Sequence, residues 1–214
     1  MITKKRYTFI TIEGGEGSGK TTQSRLLRGY LEERGFEVLL TREPGGSVLA
    51  DNIRNIILNP NSDIAPLSEL FLFEAARAQH IEKLIYPALK IGKVVVCDRF
   101  TDATVAYQGY GKGLDLKLIN KLNLIASVGL EPTLTLYLDI MPFNGLSRAK
   151  KLNVDGYGNN GDRIERESIR FHENVRKGYI EQARKYPKRI RVIEVQETTE
   201  KTHMLIKDVV NKVL

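Results

Sequence analysis

The sequence predicts an α/β fold in which helices cover both faces of a parallel sheet. Three observations point there. Five short apolar runs alternate with segments whose apolar residues recur at helical spacing. Glycine, proline or charge bounds each run. The first run leads straight into a glycine-rich turn and a helix, "FITIEGGEGSGKTT", the order in which a strand hands the chain to a phosphate-binding loop.

The strands are predicted over Phe9 to Glu13, Phe36 to Thr41, Val94 to Asp98, Leu134 to Asp139 and Arg191 to Val195. Between the first two, "TTQSRLLRGYLEERG" puts Leu26, Leu27, Tyr30 and Leu31 on one face, with Gly35 as the stop. A second helix is predicted from Val48 to Leu58, ended by "NPNSD", and a long one from Pro66 to about Lys90. After Pro142 a short helix ends in Arg148, Lys150 and Lys151, and the Gly/Asn-rich stretch "NVDGYGNNG" behind it reads as a flexible loop. A last helix carries Phe171, Val175, Tyr179 and Ala183 at i+4 spacing.

The 214 residues, 42% hydrophobic, suffice for one domain with an inserted mobile segment. Cys97 is the only cysteine, which excludes a disulfide framework and a cysteine metal site and suits a reducing cytoplasm. The N-terminal apolar run is too short for a signal or membrane segment. The formal charge of +7 suits a nucleic-acid binder, yet no basic stripe is interleaved with aromatics. Anionic small ligands and solubilising lysines account for the excess more simply.

Gly14-x-x-x-x-Gly19-Lys20-Thr21 matches the phosphate-loop pattern of nucleotide triphosphatases. Residues Gly14, Gly15, Glu16, Gly17, Ser18 and Gly19 would wrap the triphosphate with backbone N–H groups, and Lys20, Thr21 and Thr22 open the helix behind it. Lys20 is expected on the β and γ phosphates and the Thr21 hydroxyl on Mg²⁺. A base-reading "NKxD" segment of the GTPase kind is absent, so the donor is expected to be ATP. Asp98 ends the apolar run "KVVVCD", where a carboxylate holds the metal or its water; a helix-capping role is the alternative. Arg99 beside it is costly without an anion, and is read as a clamp for a second phosphate.

"TREPGG", "FLFEAARAQH" and "DRFTDATVAYQGYGKG" follow at positions where open α/β sheets bind ligands. With the phosphate loop and "DRIE" at Asp162 to Glu165, these motifs resemble, in order, those of the thymidylate kinase family. The resemblance runs from Phe9 to the C-terminus. It implies a P-loop NTPase-type five-stranded parallel sheet with a closing lid at about 143–163, a homodimer, and transfer of the ATP γ-phosphate to dTMP with Mg²⁺.

The resemblance also implies roles. Phe73 would stack on thymine, Arg77 would donate to its O4, Gln108 would read its N3 edge, and Tyr107 would crowd a ribose 2′-OH. Glu16 would approach the acceptor 3′-OH, and Arg148 would be the catalytic arginine of the lid. Without the resemblance, Phe73 reads equally as core, Arg77 as a surface arginine, and Tyr107 and Gln108 as part of a turn-rich loop. "DRIE" would form the helix after the lid, and Glu43–Pro44 the family's cis bond, although trans is the ordinary expectation.

Three departures stand out. Lys150, Lys151 and Leu152 stand where the lid often repeats arginines, so that Arg148 and Arg163 are its remaining forks. "NVDGYGNNGD" lengthens the lid, and Ala103 replaces a common serine. Gly17 stands where some members carry a phosphate-loop arginine, so the positive charge must come from the lid. The expected function is dTMP kinase. Kinases of dUMP or UMP, a nucleoside kinase that would leave Arg99 without its anion, and a nucleic-acid-binding ATPase are the rivals.

Overall fold

The computed structural model describes residues 7–154 and 162–214. Strands β1 (Phe9–Gly14), β2 (Val38–Arg42), β3 (Val94–Asp98), β4 (Leu134–Asp139) and β5 (Ile190–Glu194) pair in parallel in the order β2-β3-β1-β4-β5. All five lie where the sequence predicts them: β3 and β4 have the predicted ends, and those of β1, β2 and β5 move by one or two residues.

Alternation decides which layer each residue joins. Ile10, Ile12, Val94, Val96, Leu134 and Leu136 pack with Leu27, Leu31, Ile206 and Val210, which belong to α1 (Lys20–Glu33) and α9 (Thr199–Val210). Phe9, Val95 and Cys97 point the other way, against Ile81, Ile85 and Phe100. Thr11 and Thr135 are buried mid-sheet and bond each other at 2.8 Å, so no polar group there is orphaned.

The predicted second helix is α2 (Val48–Leu58), capped by Ser47. The long helix from Pro66 is present but not uniform. α3 (Pro66–His80) widens into a π-helical turn (Ile81–Ile85) and resumes as α4 (Tyr86–Lys90). Pro87 has no N–H to give the preceding turn, and the wider turn accommodates it.

Several predictions need correction. Residues 101–111, readable as a turn-rich loop, are helical throughout, as α5 (Thr101–Thr104) followed by a π-helical stretch (Val105–Gly111). α6 (Leu116–Ala126) and α9 were not predicted, and Asp115 and Thr198 cap them. α7 (Pro142–Val154) outruns its predicted end. "DRIE" is a turn rather than a helix, because Asp162 accepts from the backbone N–H of both Ile164 and Glu165 at 2.9 Å. The helix, α8 (Ile169–Lys185), waits for its cap at Ser168. Most of the predicted flexible loop, residues 155–161, lies outside the described residues. Glu43–Pro44 is cis, as the resemblance implies and unaided chemistry does not. Among the described residues no helix is long and apolar enough to cross a membrane.

The strand order makes the chain run outward from β1 to β2, return through β3, and cross to β4. The loops after β1 and β3 therefore meet at the switch point, beyond the carboxyl ends of the strands, where such sheets bind ligands.

Candidate active site

The loop leaving β1 folds back on itself. Ser18 Oγ and Lys20 Nζ both donate to the Gly15 carbonyl, at 2.8 and 2.7 Å. Gly17 has φ 66°, and a Cβ there would sit 1.9 Å from the Gly145 carbonyl of α7. Only glycine permits that backbone contact. Lys20 is almost fully buried; burial lowers its pKa, Arg99 lowers it further, and Glu16 and Asp98 partly offset both. An ammonium in that setting is stabilised by an arriving anion.

The first turn of α1 meets the end of β3. Thr21 donates its hydroxyl hydrogen to Asp98 Oδ2 at 2.8 Å, which makes a pair of hard oxygen donors beside the phosphate loop. Hard oxygens from one or two side chains, completed by phosphate and water, are what Mg²⁺ takes. Among the described residues no cluster of three or more His, Cys, Asp or Glu side chains forms an all-protein metal cage.

Arg99 follows in the left-handed region, with φ 71°, a conformation that costs a non-glycine residue about 1 kcal/mol or more. Its N–H bonds to the Ile12 carbonyl at 3.0 Å. Its guanidinium donates to the Gly14 carbonyl at 3.1 Å and to Glu16 Oε1 at 2.6 Å, and lies over the Tyr107 ring. The Tyr107 hydroxyl donates to the same Glu16 oxygen at 2.8 Å. Burial alone would raise the Glu16 carboxyl, but Arg99, Lys20 and Tyr107 outweigh it and bring it down to about 2.

Arg42 and Arg54 line the same cleft. Arg54 donates to the Pro44 carbonyl at 3.1 Å; burial and then the charges of Arg42 and Arg99 lower its pKa. Four cations thus converge on one opening, an arrangement that favours a polyanion.

The cleft, about 270 Å³, continues past Phe73 to Arg77, Thr104 and Gln108. Arg77 is not the surface arginine it can be read as. It is 2% exposed and donates to Glu43 (2.8 Å), Glu74 (2.9 Å), Asn123 (2.7 Å) and Thr104 (2.9 Å). Among the described residues these bonds occupy four of its five N–H groups, leaving one on Nη2. Gln108 Nε2 donates to Glu69 Oε1 at 2.8 Å, so its carbonyl is the other end of the amide. These bonds leave one N–H on Arg77 and the carbonyl of Gln108, on two side chains that both line the cleft.

The structure brings Glu16, Lys20, Thr21, Phe73, Arg77, Asp98, Arg99, Ala103, Tyr107 and Gln108 to this one cleft. It does not bring Arg148 there: that residue is exposed on α7. Nor does Arg163 face the phosphate loop. It pairs with Glu69 and donates to the Ile57 carbonyl. Sequence reasoning gave no part to Arg54, Glu69 or Asn123. Arg54 adjoins Ile53 on the buried face of α2, a charge beside an apolar stripe that was the available signal; Glu69 and Asn123 carried none.

A glycine-rich loop at the switch point of a parallel sheet, with a cationic opening beside it, defines a P-loop nucleotide-binding α/β protein. A model of the family described as thymidylate kinase matches residues 12–206. The chain is 51% identical over 191 residues to a thymidylate kinase of Syntrophotalea carbinolica, covering 89% of this chain and 88% of that one. It is 48% identical over 203 residues to one of Gloeobacter violaceus, covering 95% and 94%. The crystal structure of a thymidylate kinase from Ehrlichia chaffeensis superposes with a TM-score of 0.76 at 37% identity, over 95% of this chain and 98% of that one. The chain belongs to the thymidylate kinase family.

Proposed function

We propose that this cleft transfers the γ-phosphoryl group of ATP to dTMP, giving dTDP, as membership of the family indicates. One observation carries the reading: a single cleft joins a phosphate loop at one end to a donor and an acceptor at the other. Thymine offers an acceptor at O4 beside a donor at N3, the complement of Arg77 Nη2–H and Gln108 Oε1. Cytosine offers the reverse pattern, which strands a buried donor and costs roughly 1–3 kcal/mol.

Lys20 and the loop N–H groups hold the ATP phosphates, and Thr21 and Asp98 would hold Mg²⁺, which supplies charge neutralisation between phosphates when bound. Arg99 trades its bond to Glu16 for the dTMP phosphate, with Arg42 and Arg54 alongside. Glu16, kept ionised, is then free to accept from the sugar hydroxyl, and Tyr107 leans on the deoxy edge. Phe73 stacks on the base. Arg148 enters only if α7 and the 143–163 segment close over the cleft, since it stands outside in this conformation. Positioning and charge then suffice, with water excluded.

We infer also a homodimer. The support is apolar side chains left about half exposed on neighbouring helices: Leu49 and Ile56 on α2, Leu67 and Phe71 on α3. A cytoplasmic, single-domain protein acting on nucleotides rather than nucleic acid fits the lone buried thiol and the small cationic cleft.

The test is ATP- and Mg²⁺-dependent diphosphate formation from dTMP, dUMP, UMP, dCMP and dAMP at equal concentration. A clear lead for dTMP is expected. Equal use of dCMP would overturn the base-reading assignment.

A further inference from the structure

Glu69 is buried to 1% exposure on α3 and spends both carboxylate oxygens on partners. Oε1 accepts from Gln108 Nε2 at 2.8 Å, and Oε2 pairs with Arg163. Arg163 is fixed in turn: its Nε donates to the Ile57 carbonyl at 2.9 Å and its backbone N–H to the Leu58 carbonyl at 3.2 Å. The turn that carries Arg163, the end of α2, and the acceptor pocket therefore meet at one carboxylate.

A side-chain amide has no preferred face of its own: it turns to suit its neighbours. Glu69 accepts through both oxygens, so it dictates that Gln108 points Nε2 inward and Oε1 to the cleft. We propose that Glu69 is a positioning residue for base selection: through Gln108 it fixes an acceptor opposite pyrimidine N3, and Arg163 holds it in register. This rests on the reading that Gln108 faces the acceptor base.

Arg163 makes the proposal testable. In Glu69→Gln the new amide has one oxygen, and the cationic Arg163 takes it. The amide nitrogen then faces Gln108, which must turn its own oxygen inward and present N–H groups to the cleft. A thymine N3–H meets a donor. Adding Arg163→Met removes the competitor and lets Gln at position 69 turn its oxygen back toward Gln108.

The experiment measures kcat/KM for dTMP and dCMP in the wild type, Gln108→Leu, Glu69→Gln and Glu69→Gln/Arg163→Met, with thermal unfolding alongside. Gln108→Leu and Glu69→Gln are each expected to lower the dTMP:dCMP ratio at least tenfold, and the double variant to recover part of the loss despite a lower melting temperature. Should Glu69→Gln not fold, Glu69→Asp keeps the charge for Arg163 but withdraws the acceptor from Gln108, and the same loss of ratio is expected. Equal losses for both substrates in the Glu69 variants, or no recovery in the double variant, would overturn the role of Glu69 alone. An unchanged ratio in Gln108→Leu would overturn the base-reading assignment and this proposal with it.

Discussion

Thr21 and Asp98 stand 2.8 Å apart across the seam between α1 and β3, joined by the threonine hydroxyl. The two oxygens belong to different elements, so the sheet rather than the loop sets their spacing.

If they bind the metal together, Asp98→Asn keeps the hydrogen bond but weakens the metal. Activity is expected to fall about 10- to 100-fold at fixed Mg²⁺, as for lost metal-site partners, and to recover in part as Mg²⁺ is raised. Chelation with EDTA should abolish turnover. Initial rates against free Mg²⁺ check this; an unchanged Mg²⁺ dependence counts against the assignment.

Arg99 should matter to the acceptor and little to the donor. Removing a charge-assisted contact costs about 1.5–3 kcal/mol, so Arg99→Ala is expected to raise KM for dTMP by roughly 10- to 100-fold while ATP binding, followed by calorimetry without dTMP, changes little. Equal losses of both ligands would sink the clamp role.

Arg77 carries structure as well as selectivity. Its guanidinium sits between Glu43 and Glu74, with all three side chains almost fully buried. Arg77→Met strands Glu74 and leaves Glu43 only its contact with His80 at 3.1 Å, a change that costs about 3–5 kcal/mol in comparable pairs. For a chain of this size the melting temperature should drop by roughly 10 °C, measured by calorimetry. A drop of a degree or two would mean that the carboxylates are not held by this arginine.

Glu13 sets a pH dependence of stability. Burial, then the nearby Asp102 charge, push its carboxyl up to about 8, against the pull of Arg99 and hydrogen bonds from Tyr179 and Phe100. The unfolded carboxyl loses its proton near 4.5, so between that pH and 8 the folded state binds more protons. Glu13 therefore stabilises most fully below pH 4.5, and its contribution is lost as pH rises to 8, by at most about 1.4 kcal/mol per pH unit. Glu13→Gln mimics the protonated form and should flatten the decline between pH 5 and 8 in urea titrations; a slope equal to the wild type's would place the pH dependence elsewhere.

The sheet was legible because buried parallel strands must be apolar on both faces, and "VVVC" and "LTLYL" leave few alternatives. The phosphate loop was legible because its chemistry is local. Arg77 illustrates the opposite case. Its partners Glu43, Thr104 and Asn123 come from three distant segments, so its burial cannot be read from α3 alone. α9 hid for another reason: its polar face and its apolar stripe through Ile206 and Val210 make sense only against α1 and the sheet. The helix at 101–111 hid behind Gly109 and Gly111, which serve close packing against Leu116 and Phe171 rather than a turn.

The contact between Gly17 and Gly145 has no side chain in it. A Cβ on Gly145 would lie 2.3 Å from the Glu16 carbonyl, so two peptide planes touch without a compressible layer between them. Backbone on backbone transmits displacement almost one for one, whereas side chains absorb it by changing rotamer. A shift of the peptide at 16–17 would therefore be passed to α7. Gly17 and Gly145 thus fix the separation of the phosphate loop from the first turn of α7, with nothing between them to give way.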